Sequence, residues 1–459
     1  MEALISTVMR TPVGTNLGLL RVLWAMVSGQ MLSSRGAMLP ALQGSGLSDK
    51  EVRQAWSASR YGAWDIRELI EGHVSWVKTH THWKAIEVGA LPEGKGGYRV
   101  RVGDMVGFFR PKLEGCPTKH FHPLAGQALP AIGLGMIAEI GHIGEQRIAL
   151  LKEIVRMPEG RSEHKALRKA LIKSLRSKQN PEEDKTDEAD MTVDVGDAEL
   201  SPGEMLEAGS GFFVVRGDKN ATFCRAELPA YAGRGRRPKK RKVVRPLPRK
   251  HKDHEIAADL PDKDESWLLE DGRKVQANIW SEVYLPDSVL KSQPDLDPVT
   301  QKRILSTPLT VVVIHDPKFE HPLLLITNIN QTPASTIYAI YPERWPIETI
   351  PLSAKHMIGA HRQFVHAPEH TKRLPELALL AGNILSCVAA TAQPTATGFW
   401  DRLPKATPGR LRKVLSKVPF PSFVPLPLQL RKKNSVFHHL PFGNQAKHPA
   451  NQPNLILSG

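Results

Sequence analysis

The 459-residue chain has only three cysteines, Cys116, Cys224 and Cys387, scattered and unpaired by spacing. That excludes a disulfide framework and a cysteine-based zinc pattern, and it fits a reducing compartment. There is no P-loop and no recognisable Ser/His or Cys/His nucleophile motif, so neither ATP use nor acyl transfer is indicated. Long apolar runs are scarce as well. The nearest approach to a membrane span, Leu17 to Met31, is too short and is broken by Arg21, Ser28, Gly29 and Gln30. The opening MEALISTVMRTPVG lacks the basic start and unbroken apolar stretch of a secretory signal. The expectation is a cytoplasmic protein without a membrane partner or a small-molecule substrate. No internal repeat of solenoid length is visible.

What the chain has in excess is positive charge. Its 62 Lys and Arg against 47 Asp and Glu leave +15 and a pI near 9.6, which favours a polyanionic partner, nucleic acid before anionic lipid. The charge is densest in 234–252, RGRRPKKRKVVRPLPRKHK, where 11 of 19 residues are Lys or Arg. Arg236, Arg237, Lys239, Lys240 and Arg241 are candidates there for salt-sensitive contact with DNA phosphates. A solubilising loop is the plain alternative.

The length allows two to four domains. Residues 1–92 read as helical: Leu17, Leu20, Trp24, Val27 and Met31 recur at steps of three and four, Ser48 can cap a further helix, and another runs from Trp64 to Trp76. Two readings stand for this part, a DNA-binding module and a helical cap on its neighbour. The period changes to two at Tyr98, Val100 and Val102, and apolar runs from Ala128 to Ile140 continue a sheet. A basic amphipathic helix over 164–178 and a charged loop, QNPEEDKTDEAD, follow. Strands are expected at Met191–Val195, Phe212–Arg216, Val275–Leu285, Leu309–His315 and Leu323–Ile329, and an apolar helix at Leu374–Ala390. Residues 225–335 read as a β-rich insertion with a basic arm, and 401–459 as a Pro/Lys-rich tail, partly disordered.

The most informative residues are Tyr341, Arg344, Glu348 and Lys355, spaced Y-x2-R-x3-E-x6-K. On a regular helix at ~100° per residue they fall within about 60° of arc, one carboxylate among two cations and a phenol. A metal ligand beside a nucleic-acid backbone is one reading, and an ordinary Arg344–Glu348 pair on a solvated face is the other. Partner carboxylates come from two segments with the pattern V-x-V-G-D, Val100 to Asp104 and Val193 to Asp197. Each aspartate shares the pleat side of its valines and is expected at a strand end, where glycine permits close approach. If the strands are neighbours, Asp104 and Asp197 converge, and Glu348 can reach them. Three such carboxylates can hold two Mg2+ ions ~3.5–4 Å apart for in-line phosphodiester displacement. Asp190, Asp194 and Asp218 are rivals for the second position. Asp194 faces the other side of the pleat, Asp218 has the look of a turn residue, and Asp190 comes too early. His120 and His122 lack a third soft ligand nearby and read as strand or loop residues.

With these residues the chain resembles a DDE transposase of the bacterial insertion-sequence type, the group named for its Y-R-E-K signature. Trp345 and Ile347 complete the customary RW-x-IE, and the resemblance covers roughly 95–390. It implies an α+β fold with a ribonuclease H-like mixed sheet flanked by helices, split into 93–224 and 336–400 around the insertion. It implies Asp104, Asp197 and Glu348 as the catalytic, metal-binding triad, with Mg2+ replaceable by Mn2+. Tyr341, Arg344 and Lys355 would contact DNA phosphates, and Trp280, with Trp267 behind it, is the candidate ring for stacking a flipped base. The implied partners are transposon terminal repeats, target DNA and a second copy of the chain in the synaptic complex. A catalytically inactive, DNA-binding relative and a nucleic-acid chaperone are the alternatives. The chain departs from the family pattern at Pro346, at Pro351 in place of an aromatic, and at Gly103 in place of a first aspartate. A helix beginning at Pro346 and kinked at Pro351 is expected, with Tyr341 and Arg344 on its lead-in.

Overall fold

A computed structural model describes the chain apart from residues 92–95, 111–112, 114–115, 117, 162, 178–191, 231–232, 234–239, 252–253, 293–294, 363–367, 397, 422–426 and 428–459. The charged loop expected at 179–190 lies outside the described residues, as does Asp190. The architecture is mixed α and β, built on one twelve-stranded sheet. Its main strands are β1 (Tyr98–Phe109), β2 (Gln127–Ile143), β3 (Gln146–Arg156), β4 (Thr192–Gly196), β5 (Phe212–Arg216), β6 (Lys263–Leu268), β7 (Lys274–Val283), β8 (Leu309–His315) and β9 (Leu323–Thr327). Their spatial order is β3-β2-β1-β4-β5-β9-β8-β7-β6. The first three are antiparallel, β4 runs parallel to β1 and β5 parallel to β4, and the rest are antiparallel again.

Residues 225–335 are therefore β-rich, as expected, and their strands β6–β9 extend the same sheet, joined to it where Ile326 pairs with Val215. The apolar run of β8, LTVVVIH, is buried at all but its last position, as a central strand covered on both faces must be.

The main helices are α1 (Glu2–Val8), α2 (Asn16–Val27), α3 (Asp49–Tyr61), α4 (Ile66–His80), α5 (His164–Ser177), α6 (Pro202–Ala208), α7 (Ala334–Ile340), α8 (Pro368–Thr391) and α9 (Pro408–Leu415). Local signals fix their starts. Ser48 and Glu51 form a capping box on α3, and Asp65 accepts the Arg67 N–H at the start of α4. Ser201 caps α6 ahead of Pro202 at its first position.

Two apolar cores sandwich the sheet. One joins α1–α4, α8 and the valines of β1 and β4, so residues 1–92 share a core with the sheet. The other packs Leu167, Leu171 and Leu175 of α5 with Met205 and Leu206 of α6 on the opposite face. Residues 370–391 of α8 are long and apolar enough to cross a bilayer, more so than Leu17–Met31, yet 83% of that apolar window is buried inside the fold. The described part of 401–421 is not an extended tail. It forms α9 and folds back on the N-terminal helices, with the Phe420 ring edge-on to Trp24 at 6.2 Å and its N–H donating to the Ser45 carbonyl.

Candidate active site

The two V-x-V-G-D segments lie side by side. Val100 pairs with Val193 and Val102 with Val195, an offset of 93 (195 − 102), and the same offset carried past the end of the ladder leads from Asp104 to Asp197 (197 − 104 = 93), whose charges interact. Asp104 is not at a strand end, as the sequence had suggested. Its antiparallel partner β2 carries the ladder on to Phe109, so Asp104 sits in mid-strand. What stops near Asp104 is the parallel neighbour: β4 ends at Gly196, so both aspartates lie at its carboxyl end, the end of a parallel strand at which α/β sheets bind their ligands.

Alternation gives both aspartates one face. Val100, Val102, Val106 and Phe108 belong to the core shared with α8, whereas Met105 belongs to the core under α5. Asp104 follows the valines, and Asp197 follows Val193 and Val195. Across this face runs a helical rod that changes gauge along its length. After α7 come 3-10 turns over Tyr341–Glu348, an α-helical turn over Thr349–Leu352 and a π-helical stretch over Ser353–Ile358. The expected start at Pro346 is thus replaced by continuous winding from Ala334 to Ile358. Pro346 and Pro351 lack an N–H, and the tighter and wider turns around them absorb that loss. Even so, Arg344 Nη2 reaches Glu348 Oε1 at 3.0 Å.

The electrostatics tie these residues together. Asp104 is half-buried, and its carboxyl is pushed up to about 7, first by desolvation and then by the charge of Asp197, with Glu348 adding to it. Arg344 and the Met105 N–H, which donates to Asp104 Oδ1 at 2.9 Å, act in the other direction. Burial lowers Arg344, but Tyr341, Asp104, Asp197 and Glu348 together outweigh it and hold the guanidinium above its ordinary value. Lys355 is lowered by burial and partly restored by Asp104, and its Nζ lies 5.6 Å from the centre of the Phe108 ring. Asp104 thus interacts with Asp197, Arg344, Glu348 and Lys355, and Arg344 with Tyr341, Asp197 and Glu348 as well. Tyr341 itself is buried in the core, not presented at the surface. Trp345 is 45% exposed beside Arg344.

The donor set suits a hard divalent cation, being carboxylate oxygens with one carboxyl pushed up by desolvation and then by an adjacent like charge, a strain that a cation would relieve. As the side chains stand, no three His, Cys, Asp or Glu among the described residues converge on one point. Glu348 is turned to Arg344 with its side chain 57% exposed, so it joins the aspartates only by leaving that pair. Arg344 Nε, moreover, is buried without a hydrogen-bond partner.

The other candidates fall elsewhere. Trp280 is 2% exposed, sits in the core under α5 and α6, and donates Nε1–H to the Leu260 carbonyl at 3.0 Å. It is a core residue, unable to stack a base. Trp267 packs against Tyr338, ring centres 6.0 Å apart. Arg236, Arg237 and Lys239 lie outside the described residues, and Lys240 is exposed. Arg241 is engaged internally, donating to Asp287 at 2.9 Å and to the Leu285 carbonyl at 2.8 Å. Of the rival aspartates, Asp194 is fully buried on the opposite face, and Asp218 lies in a turn closed by the Ala221 N–H. His120 packs over Gly107, where a Cβ would come within 2.6 Å of its ring, and its centre lies 5.7 Å from that of His164.

Sequence reasoning overlooked Glu199. Its N–H donates to Asp197 Oδ1 at 3.0 Å, and its carboxyl is raised by burial and by Asp197. An acidic residue just past a strand end has no signature separating it from a turn. On the opposite face, a groove of about 700 Å³ lined by Arg161, Lys165, Lys169, Lys173, Glu204 and Glu207 contains none of the carboxylates described above. No protein-family model matches the chain, and no curated protein is significantly similar to it.

Proposed function

We propose that the chain is a DDE transposase with a ribonuclease H-like core, cutting DNA at transposon ends and joining the 3′-hydroxyls to target DNA. The observation that carries this reading is the charge coupling of Asp104, on β1, to Asp197, just past the end of the adjacent parallel strand β4, and of both to Arg344 and Glu348 of the complete Y-R-E-K spacing. The strand order β3-β2-β1-β4-β5, three antiparallel followed by two parallel, supports the core assignment.

In this reading Asp104, Asp197 and Glu348 would hold Mg2+, and the ion would supply positive charge to activate a water or 3′-hydroxyl toward phosphorus. Arg344 and Lys355 set a phosphate against the carboxylates and balance its charge. Trp345 offers an exposed ring beside Arg344 for an unpaired base. The net charge of +15 draws in the DNA backbone, and two ends held together call for a second copy of the chain.

The test incubates the full-length protein and Mg2+ with DNA carrying the sequences that flank its gene, scoring end cleavage and joining to a plasmid. Asp104→Ala, Asp197→Ala and Glu348→Ala should each abolish cleavage while gel-shift binding persists. Retained cleavage by any purified variant refutes the assignment. The Arg344–Glu348 pair specifically favours the second reading, an inactive DNA-binding relative, which the same assay would reveal as binding without metal-dependent cleavage.

A further inference from the structure

The variable residue of the two V-x-V-G-D segments is Arg101 in one and Asp194 in the other. These two are register partners across β1 and β4, and Arg101 Nε donates to Asp194 Oδ1 at 2.8 Å. They lie on the face opposite the aspartates, three residues before each. Arg176 of α5 joins them, donating to Asp194 Oδ2 at 3.2 Å and to the carbonyls of Phe212, Gly209 and Gly211. The side chains of Asp194 and Arg176 are fully buried and that of Arg101 is 11% exposed.

The valines cannot choose the register alone. Each strand carries valine at two positions two apart, so a slip of two residues still sets Val100 against Val195 in the same core and loses only the second valine pair, Val102 then facing Asp197. Such a slip would move Asp104 along its neighbour by about 6.6 Å, past Asp197. Charge breaks the degeneracy. Arg99, which a slip would bring opposite Asp194, is already paired in register with Glu87 of the strand on its other side, at 3.5 Å. Arg101 is also held by the Leu175 carbonyl. We propose that Arg101 and Asp194, backed by Arg176, are positioning residues that lock β1 against β4 and so hold Asp104 beside Asp197. The functional meaning of that lock rests on the transposase reading, whereas the lock itself does not.

The test therefore uses no enzymatic readout. An Asp104→Cys/Asp197→Cys double variant should form a disulfide under mild oxidation, since the register of the adjacent strands, continued one residue past the end of β4, brings the Cα atoms within bridging range. Asp104→Cys/Glu199→Cys reports the slipped register and should cross-link poorly. Adding Arg101→Gln, which keeps a donor for the Leu175 carbonyl but removes the charge, should slow the 104–197 cross-link on the order of tenfold and raise the 104–199 product. Arg101→Lys should restore most of the rate. Ile314→Ala in β8, buried far along the sheet, should lower the melting temperature and leave the cross-link ratio unchanged. Oxidation during refolding from urea gives the same ratio for a variant too unstable to study at equilibrium. An unchanged ratio in Arg101→Gln, or an equal shift in Ile314→Ala, overturns the proposal. Failure of DNA cleavage with the cross-links behaving as expected would instead count against the transposase reading.

Discussion

Replacing Asp104 by Asn should stabilise the metal-free protein, and the gain should grow with pH. Below about pH 4 the carboxyl is protonated in folded and unfolded chains alike and contributes nothing. Between the ordinary value of 3.8 and the folded value of about 7 the folded chain keeps a proton that the unfolded chain releases, so stability falls as pH rises. Above pH 7 the whole penalty is present. At about 1.4 kcal/mol per pH unit it amounts to about 4 kcal/mol. Asn keeps the oxygen that accepts the Met105 N–H and carries no charge. A chain of 459 residues unfolds with an entropy of about 1 kcal/mol/K, so the variant should melt about 4 °C higher at pH 8 and 1–2 °C higher at pH 5. Thermal melts in EDTA across that range provide the measurement. If the carboxylates bind Mg2+, adding it should raise the melting point of the parent at pH 8 and leave the variant nearly unmoved. A variant melting below the parent at pH 8, or a gain independent of pH, would refute the electrostatic account of the site.

Arg344→Met removes a cation that holds Asp104 down, so the pH window of the parent's stability loss should move upward in the same melts. Trp280→Ala should cost about 3–5 kcal/mol in urea unfolding, because it empties a buried core position, and any loss of DNA affinity should follow the loss of folded protein. Glu376→Gln removes a buried carboxylate on α8 whose desolvation outweighs its pairing with the exposed Arg156, so it should not lower stability at pH 8 in the same unfolding assay, with no change in metal response. Glu348→Gln breaks the ion pair with Arg344, and its melting point should shift by less than about 1 °C because Glu348 is largely exposed.

Much of the fold was legible because its strands alternate cleanly and its helices carry their caps. Strands at Thr192–Gly196, Phe212–Arg216 and Leu309–His315 fall within a residue or two of the expected bounds, and Ser48 caps the helix it promised. The strand β6 escaped notice because KDESWL is a charged edge strand with little apolar signal. The repeated V-x-V-G-D pattern marked two strands whose aspartates would converge if the strands were neighbours, and β1 and β4 are neighbours, but the mid-strand position of Asp104 was not legible, since it depends on how far β2 runs alongside. Trp280 illustrates a different limit. An aromatic on an inserted strand reads the same whether it points into the core or out of it, and only the pairing of β7 with β8 decides that side.

The unbroken run of strands from β3 to β6 has a practical consequence for anyone dissecting this protein. Deleting 225–335 to obtain a minimal catalytic fragment would strip β9 from β5 and leave a buried, apolar strand with its N–H and C=O groups bare. Such an edge recruits other chains. Insolubility of that fragment would reveal a torn sheet, not a dispensable segment, and would say nothing about where catalysis resides.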